Sequence, residues 1–473
     1  MSDPVVAPTR EDPFARWASR VVGGPAGSRI RTPGHAWWSP ARVLVLVSVV
    51  TGALALVRLQ HCRVTGWTTP GQFVHTCYSD VAVLHATLGG SPAAVLGLDP
   101  ASPDGFTQPA LTAYVLAALA TLAAPLEGLS EGLSPAAEGV AVAPRVFLDL
   151  WAVVAVLALV VMVLAVVRLA GRRPWDALLV AASPVVVLSG LVSADLLGVA
   201  LGVLALALWS RERPVAAGVV LGLAVAARFH VVLVALALLL VALRSDRLRE
   251  VATTLSAAAF VWAAANLPLV LLAPAAWTAP ARGWWSADPG YGSLLVLPRL
   301  LADEGVAVRA LTGPQSAVIQ AVLLVAGLAA VVVWVLSARV APRLPVVVLV
   351  LVALTLVVSK TVPVQASLWL LPWAALAVPR WREHLWWWAA EALYVVSVWQ
   401  YLVGLSEANR ALPAGFYAAA VVARLAAVAW LAWCAYRLSR HPETDPVRRD
   451  AGGGDPAGGV LARSKDRPVV QLA

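Results

Sequence analysis

Charge is scarce in this sequence. Only 13% of its 473 residues are Asp, Glu, Lys or Arg, against roughly 25% in a soluble domain, and 60% are hydrophobic. That excludes an ordinary soluble chain and leaves a polytopic membrane protein, because apolar runs of bilayer length recur from end to end. Lysine is nearly absent: Lys360 and Lys465 are the whole set. Isoleucine is scarce too while Ala, Val, Leu and Arg abound, a bias that reads as genomic base composition rather than function. The net charge is +9, but no aromatic residues interleave with the arginines, which excludes a nucleic-acid surface. Short arginine clusters between apolar runs are topology signals instead. No small-residue cleavage site closely follows the first apolar run, so that run is expected to stay as the first span.

The arginines orient the chain. Arg10, Arg16, Arg20, Arg29, Arg31 and Arg42 precede a span at 43–58, and Arg168, Arg172 and Arg173 follow one at 145–168. Both groups belong on the cytoplasmic side. Residues 59–144 must therefore begin and end outside. Within them, "PALTAYVLAALATLAAP" (109–125) is at the short limit for crossing. It is read as a helix in the outer interface, the alternative being a thirteenth span. Later spans alternate at 175–191, 195–210, 214–227, 231–243, 251–272, 315–338, 344–359, 366–378, 385–404 and 413–437. The expected fold is all-α, a polytopic membrane bundle of about twelve spans over 41–438, with interfacial helices in its long first outer loop. Residues 1–40 and the Gly/Pro-rich tail at 439–473 are expected to be disordered and cytoplasmic, in a plasma-membrane protein.

Against this apolar ground the threading gathers polar residues in one outer layer: Asp80, Asp99, Asp104, Asp149, Asp195, Arg228, His230, "WWSADPGYGS" (284–293) and "SKTVPVQ" (359–365). Cys62 and Cys77 share the first outer loop, where disulfides are permitted. A bridge there would stabilise the loop by roughly 3 kcal/mol; two free buried thiols are the alternative. Metal ligation by Cys62, Cys77, His75 and His85 matches no standard zinc spacing. Asp80, three residues after Cys77, suits a fixed general base, although Ser79 or Asp80 could equally cap a following helix. Asp195 at a helix start has the same capping alternative. Arg145 and Asp149 are spaced to pair along one helix. Arg228 at bilayer depth needs a partner, and a lipid phosphate would serve; snorkelling is the plainer reading. Lys360 could neutralise a phosphate or act as an interfacial anchor. The tryptophans of "WREHLWWWAAE" read as an aromatic belt.

"CYSD", "GRRPWDALLVAASP", "SADLLGVALGVLALALWSRERPVAAGVVLGLAVAARFHVVL" and "SKTVPVQASLWLLPWAALAVPRW" follow the first span in that order. In order and spacing they resemble the GT-C superfamily of polyprenyl-phosphate-dependent glycosyltransferases, most closely glycosyltransferase family 87, over roughly residues 40–435. The resemblance implies a sugar transferase acting at the outer face with a lipid-phosphate-linked donor, and Asp80 matches the family's loop acid. "AARFHV" stands where the family tends to have a lysine followed by Tyr-Pro, so Arg228 and His230 depart from the pattern. Lys360 and Gln365 keep in kind the family's Lys-Val-x-Ser-Pro-Gln segment.

The function so implied is inverting transfer of a sugar, mannose first, to an extracytoplasmic lipid or glycan acceptor. Asp80 would be the base. Lys360, Arg228, His230 and Gln365 would hold the donor phosphate. Tyr78, Ser79, Asp195, Trp284, Asp288, Tyr291 and Ser293 would shape the pocket. No cofactor or divalent metal is expected. Membrane lipids are the other expected partners, with no nucleic acid. The competing readings are a lipid-linked-sugar transporter or flippase and a non-catalytic membrane protein. Against transport stand the lack of a repeat between the halves and carboxylates that cluster at one face rather than the midplane.

Overall fold

The computed structural model describes residues 12–23, 38–99, 108–133, 143–410 and 412–469, so Asp104 lies outside the described residues. These contain helices and no strand. We label the principal helices α1 (Pro13–Gly23), α2 (Pro40–Arg58), α3 (Asp80–Thr87), α4 (Ala110–Leu133), α5 (Ala143–Leu169), α6 (Asp195–Trp209), α7 (Pro214–Ala227) and α8 (Val232–Ala242). They continue with α9 (Leu248–Leu272), α10 (Pro274–Ser286), α11 (Gly313–Ser337), α12 (Leu344–Val358), α13 (Ser367–Ala377), α14 (Trp381–Gly404) and α15 (Ala414–Arg440). Proline opens several of them, since at the first helical position it has no N–H to leave unpaired. Thr312 and Gln315 form a full capping box before α11.

Among the described residues six helical stretches are long and apolar enough to cross a membrane: α2, Ala110–Glu127 of α4, Pro144–Leu169 of α5, α9, α11 and α15. Shorter apolar helices stand among them, namely Pro174–Ser189, α6, α7, Phe229–Ala242, α12 and Val364–Ala377. The two sets have different neighbours. α6 and α12 are buried on nearly every turn, whereas only 17% of α9 and 11% of α11 is covered by protein. α9 and α11 thus present apolar side chains outward, whereas α6 and α12 fill the interior. At 14 residues α7 reaches about 21 Å, short of a hydrocarbon core of about 30 Å. Gly218 and Gly222, one turn apart on α7, bring its backbone onto α9. A Cβ at Gly218 would lie 2.3 Å from the Thr254 carbonyl oxygen, and one at Gly222 2.5 Å from that of Ala258.

The helices share two ends. At one, Arg58 closing α2 bonds the carbonyls of Val187 and Thr76, and Asp195 opening α6 pairs with Arg228 just after α7. Asp149 in α5 also sits there, bound by both arms of Arg63 at 2.6 and 2.9 Å rather than by Arg145. The opposite end carries Arg173, Arg244 and Arg343.

α4 runs past the expected 109–125, to Leu133. Near its start, Thr112 bonds the Ala227 carbonyl; farther along, Glu127 lies 3.7 Å from His85, which stacks on Phe147 in the first turns of α5. These contacts tie the helix, about 36 Å long, to residues near the Asp195 end.

Where the terminal segments are described, at 12–23 and 439–469, they are ordered, against the expectation of disorder. Asp12 caps α1 through the N–H groups of Phe14 and Ala15, and its other oxygen accepts from the Trp381 N–H. Beyond α15 the chain crosses the arginine end as a strap. Asp445 pairs with Arg343 at 2.7 Å, Asp450 with Arg173 at 2.7 Å and Asp466 with Arg244 at 2.8 Å. Asp455 accepts from the Leu344 N–H, and Trp209 donates to the Gly458 carbonyl. Composition alone suggested a solvated tail, but each aspartate meets a buried cation or an open helix N–H.

Candidate functional site

Asp80 is held from three sides. The Cys62–Cys77 disulfide closes the segment before it. With both sulfurs in that bond, neither is a thiolate for a metal. The Ser79 hydroxyl donates to the Leu191 carbonyl at 2.8 Å, and the Asp80 N–H to the Val192 carbonyl at 2.7 Å. Ser79 stands at the N-cap position of α3, but its hydroxyl does not cap the helix; it stitches the loop to the turn before α6. Asp80 opens α3, half-buried, and accepts a hydrogen bond from the Tyr78 hydroxyl. Tyr78 packs with Phe73 and Trp399, ring centroids 5.3–5.8 Å apart. Burial pushes the Asp80 carboxyl above its ordinary value of 3.8, and Asp195 adds to the rise; the Tyr78 hydrogen bond and the Arg228 charge oppose it. Burial and the Asp80 charge likewise raise the Tyr78 phenol.

The neighbouring group is Asp195 with Arg228. Asp195 opens α6, and its second oxygen accepts from the Trp369 indole at 2.8 Å. Arg228 pairs with Asp195 and reaches the Gln108 side-chain oxygen at 2.8 Å. Gly198 makes room for it, since a Cβ there would lie 2.7 Å from the Arg228 Cβ. His230 stacks on Trp369 with centroids 4.1 Å apart. Asp80, Tyr78, Ser79, Asp195, Arg228 and His230 thus come together as the sequence implies, with Trp369 and Gln108 as members it did not reveal.

Lys360 belongs to a second group. Its ammonium donates to the carbonyls of Ala287, Gly313 and Trp285 at 2.8, 3.1 and 3.3 Å and lies over the Trp284 ring at 4.7 Å. An ammonium has three donors, so none is left here for a phosphate. Lys360 instead pins the 284–293 segment, whose Gly290 N–H returns to the Lys360 carbonyl at 2.7 Å. Ser293 is buried and donates to the Ser359 carbonyl at 2.6 Å, so its hydroxyl does not line an open pocket. Tyr291 offers its carbonyl to Tyr417. Asp288 is exposed, and half-buried Gln365 makes no side-chain hydrogen bond among the described residues.

One buried pair escaped sequence reasoning. Arg424 of α15 meets Glu391 of α14 at 3.0 Å and also holds the carbonyls of Pro363 and Val364 and the Ser367 hydroxyl. An arginine and a glutamate inside apolar helices were the available signal. No family model matches this chain, and no curated protein or solved structure matches it.

Proposed function

We propose that the chain is a GT-C-like membrane glycosyltransferase that moves a sugar, mannose first, from a polyprenyl-phosphate donor to a lipid or glycan acceptor at the Asp80 end. The observation that carries this reading is Asp80 itself: an acid with a raised pKa, fixed by a disulfide-closed loop beside a paired cation. In this reading the arginine end and both termini are cytoplasmic, the Asp80 end is extracytoplasmic, and short and long helices together make about twelve spans.

Asp80 takes the proton from an acceptor hydroxyl as its oxygen bonds the anomeric carbon. The bond from that carbon to the donor phosphate oxygen breaks, the electron pair leaves with the phosphate, and the centre inverts. Arg228 is the cation placed to stabilise the departing phosphate; Lys360 supports the loop opposite instead of binding it. A site at the ends of short helices would let an isoprenoid tail remain in lipid while its head reaches the site. The reaction as written requires no metal.

The test is transfer from polyprenyl-phosphate-mannose by membranes carrying wild type or Asp80→Asn at matched protein levels. Transfer lost in the variant supports the base. Equal transfer in both removes Asp80 from the chemistry. Inactivity in both sends the assay to lipid-linked arabinose and then to transport.

A further inference from the structure

α1 presents an apolar face that is left largely uncovered among the described residues. Phe14, Trp17 and Val21 fall on one side of the helix, since positions three and four apart share a face. Phe14 is half-buried against Trp381, with centroids 6.0 Å apart, but Trp17 and Val21 are 61% and 67% exposed. Arg16 and Arg20, one turn apart, flank that face. Both are exposed, and neither side chain has a hydrogen bond or ion pair among the described residues. α1 itself contains no acid, and Asp12, which caps it, accepts three backbone N–H groups. With that carboxylate counted, the helix and its cap are still positive.

The level at which α1 sits identifies what covers that face. Asp12 and Phe14 fix its start to Trp381, the first residue of α14. Around that level the bundle turns tryptophans outward: Trp38 just before α2, Trp386 in α14, and Trp430 and Trp433 in α15. Trp430 is tied to the same level by its bond to Glu383, in the first turn of α14. Exposed indoles around one end of an apolar bundle mark the boundary between lipid and water. A helix at that boundary, with an indole and a valine on one side and arginines beside them, lies in the plane of the interface. Its apolar face meets the upper acyl chains and its guanidinium groups stand among the headgroups. We propose that α1 is an in-plane membrane anchor whose partner is an anionic lipid surface, with Trp17 and Val21 inserted and Arg16 and Arg20 on the lipid phosphates. This anchoring requires nothing of the transfer chemistry at Asp80.

The test is spin-label accessibility at Val21→Cys in the full-length protein, with Cys434→Ser to remove the free thiol; Cys62 and Cys77 are bridged and do not label. The protein is placed in nanodiscs of phosphatidylcholine or of an equal mixture with phosphatidylglycerol. Collisions with oxygen, which concentrates in lipid, are compared with collisions with a neutral nickel chelate, which stays in water. In the mixed bilayer the label should meet oxygen and be shielded from nickel. Trp17→Ser loosens the apolar grip and makes the charge readable. Its ratio of docked to undocked helix should rise roughly fivefold or more from the neutral to the mixed bilayer, the factor for one net basic residue near an anionic surface. Adding Arg16→Gln/Arg20→Gln should abolish or reverse that rise, and adding Arg16→Lys/Arg20→Lys should preserve it, which separates headgroup binding from misfolding of the helix. A label open to nickel in both bilayers overturns the anchor. A label closed to both reagents means that protein covers the face, and overturns it too. An equal ratio in the two bilayers for Trp17→Ser overturns the anionic partner.

Discussion

At Asp80 opposing influences meet in one carboxyl group, and their balance has a sign that kinetics can read. Burial and Asp195 raise its pKa, whereas the Tyr78 hydroxyl and Arg228 lower it. A base works only when ionised, so the acidic limb of the transfer rate should lie above the ordinary carboxylate range. Tyr78→Phe removes an influence that lowers the pKa and should move the limb higher still, a shift seen in the pH profile of kcat/KM. The same group bears on stability. Between pH 3.8 and its raised value the folded state holds a proton that the unfolded chain has released, so its contribution favours folding at low pH and is lost as pH rises through that window. Lys360 makes a different prediction. Lys360→Met leaves three carbonyls without their donor, that of Gly313 buried, and should lower the Tm, at about 1–3 kcal/mol for the buried group left unsatisfied. The surviving protein should keep its KM for the donor; a large rise in KM would instead mark Lys360 as a phosphate ligand. Asp80 and Lys360 were legible because a charge in an apolar sequence announces itself. Their partners were not: Trp369 meets Asp195 across 174 positions, and no local pattern in one sequence joins them.

Between elements, α7 and α9 meet closely at two glycines. Gly222→Val would drive a branched side chain into the Ala258 carbonyl, and the helices must separate. A loss of about 1–3 kcal/mol is expected from overpacking, measured as a lower Tm. The glycine spacing that permits this contact was visible in "AAGVVLGLA" but is equally compatible with an unremarkable apolar helix, so only the neighbour reveals its use. The Cys62–Cys77 pair was more legible, since two cysteines close together in one loop offer few other uses. Converting both to serine should loosen the 59–80 segment by roughly 3 kcal/mol and expose it to limited proteolysis. The arginines around α4 argue for an interfacial helix, while its own composition is apolar enough for a span.

On the scale of the whole molecule, the strap ties together helices distant in sequence. Asp445 and Arg343 are both almost fully buried, so Asp445→Asn leaves an arginine without its counter-charge and should cost about 3–5 kcal/mol. Ending the chain after Arg440 removes all three aspartate partners and should lower the Tm further than the single substitution, with new cleavage at the ends of α8 and α11. The strap was illegible because glycine, proline and charge describe a solvated segment and an ordered one equally well until the partners are known. Its place in the chain has a consequence for biogenesis. Arg244 and Arg343 emerge from the ribosome well before Asp466 and Asp445, so the insertion machinery meets these two cations without their aspartates, whereas Arg173 already has Asp176 beside it. Orientation can thus be decided by bare positive charge, and neutralisation follows only when the helices are already placed. The aspartates lock a topology that they arrive too late to disturb.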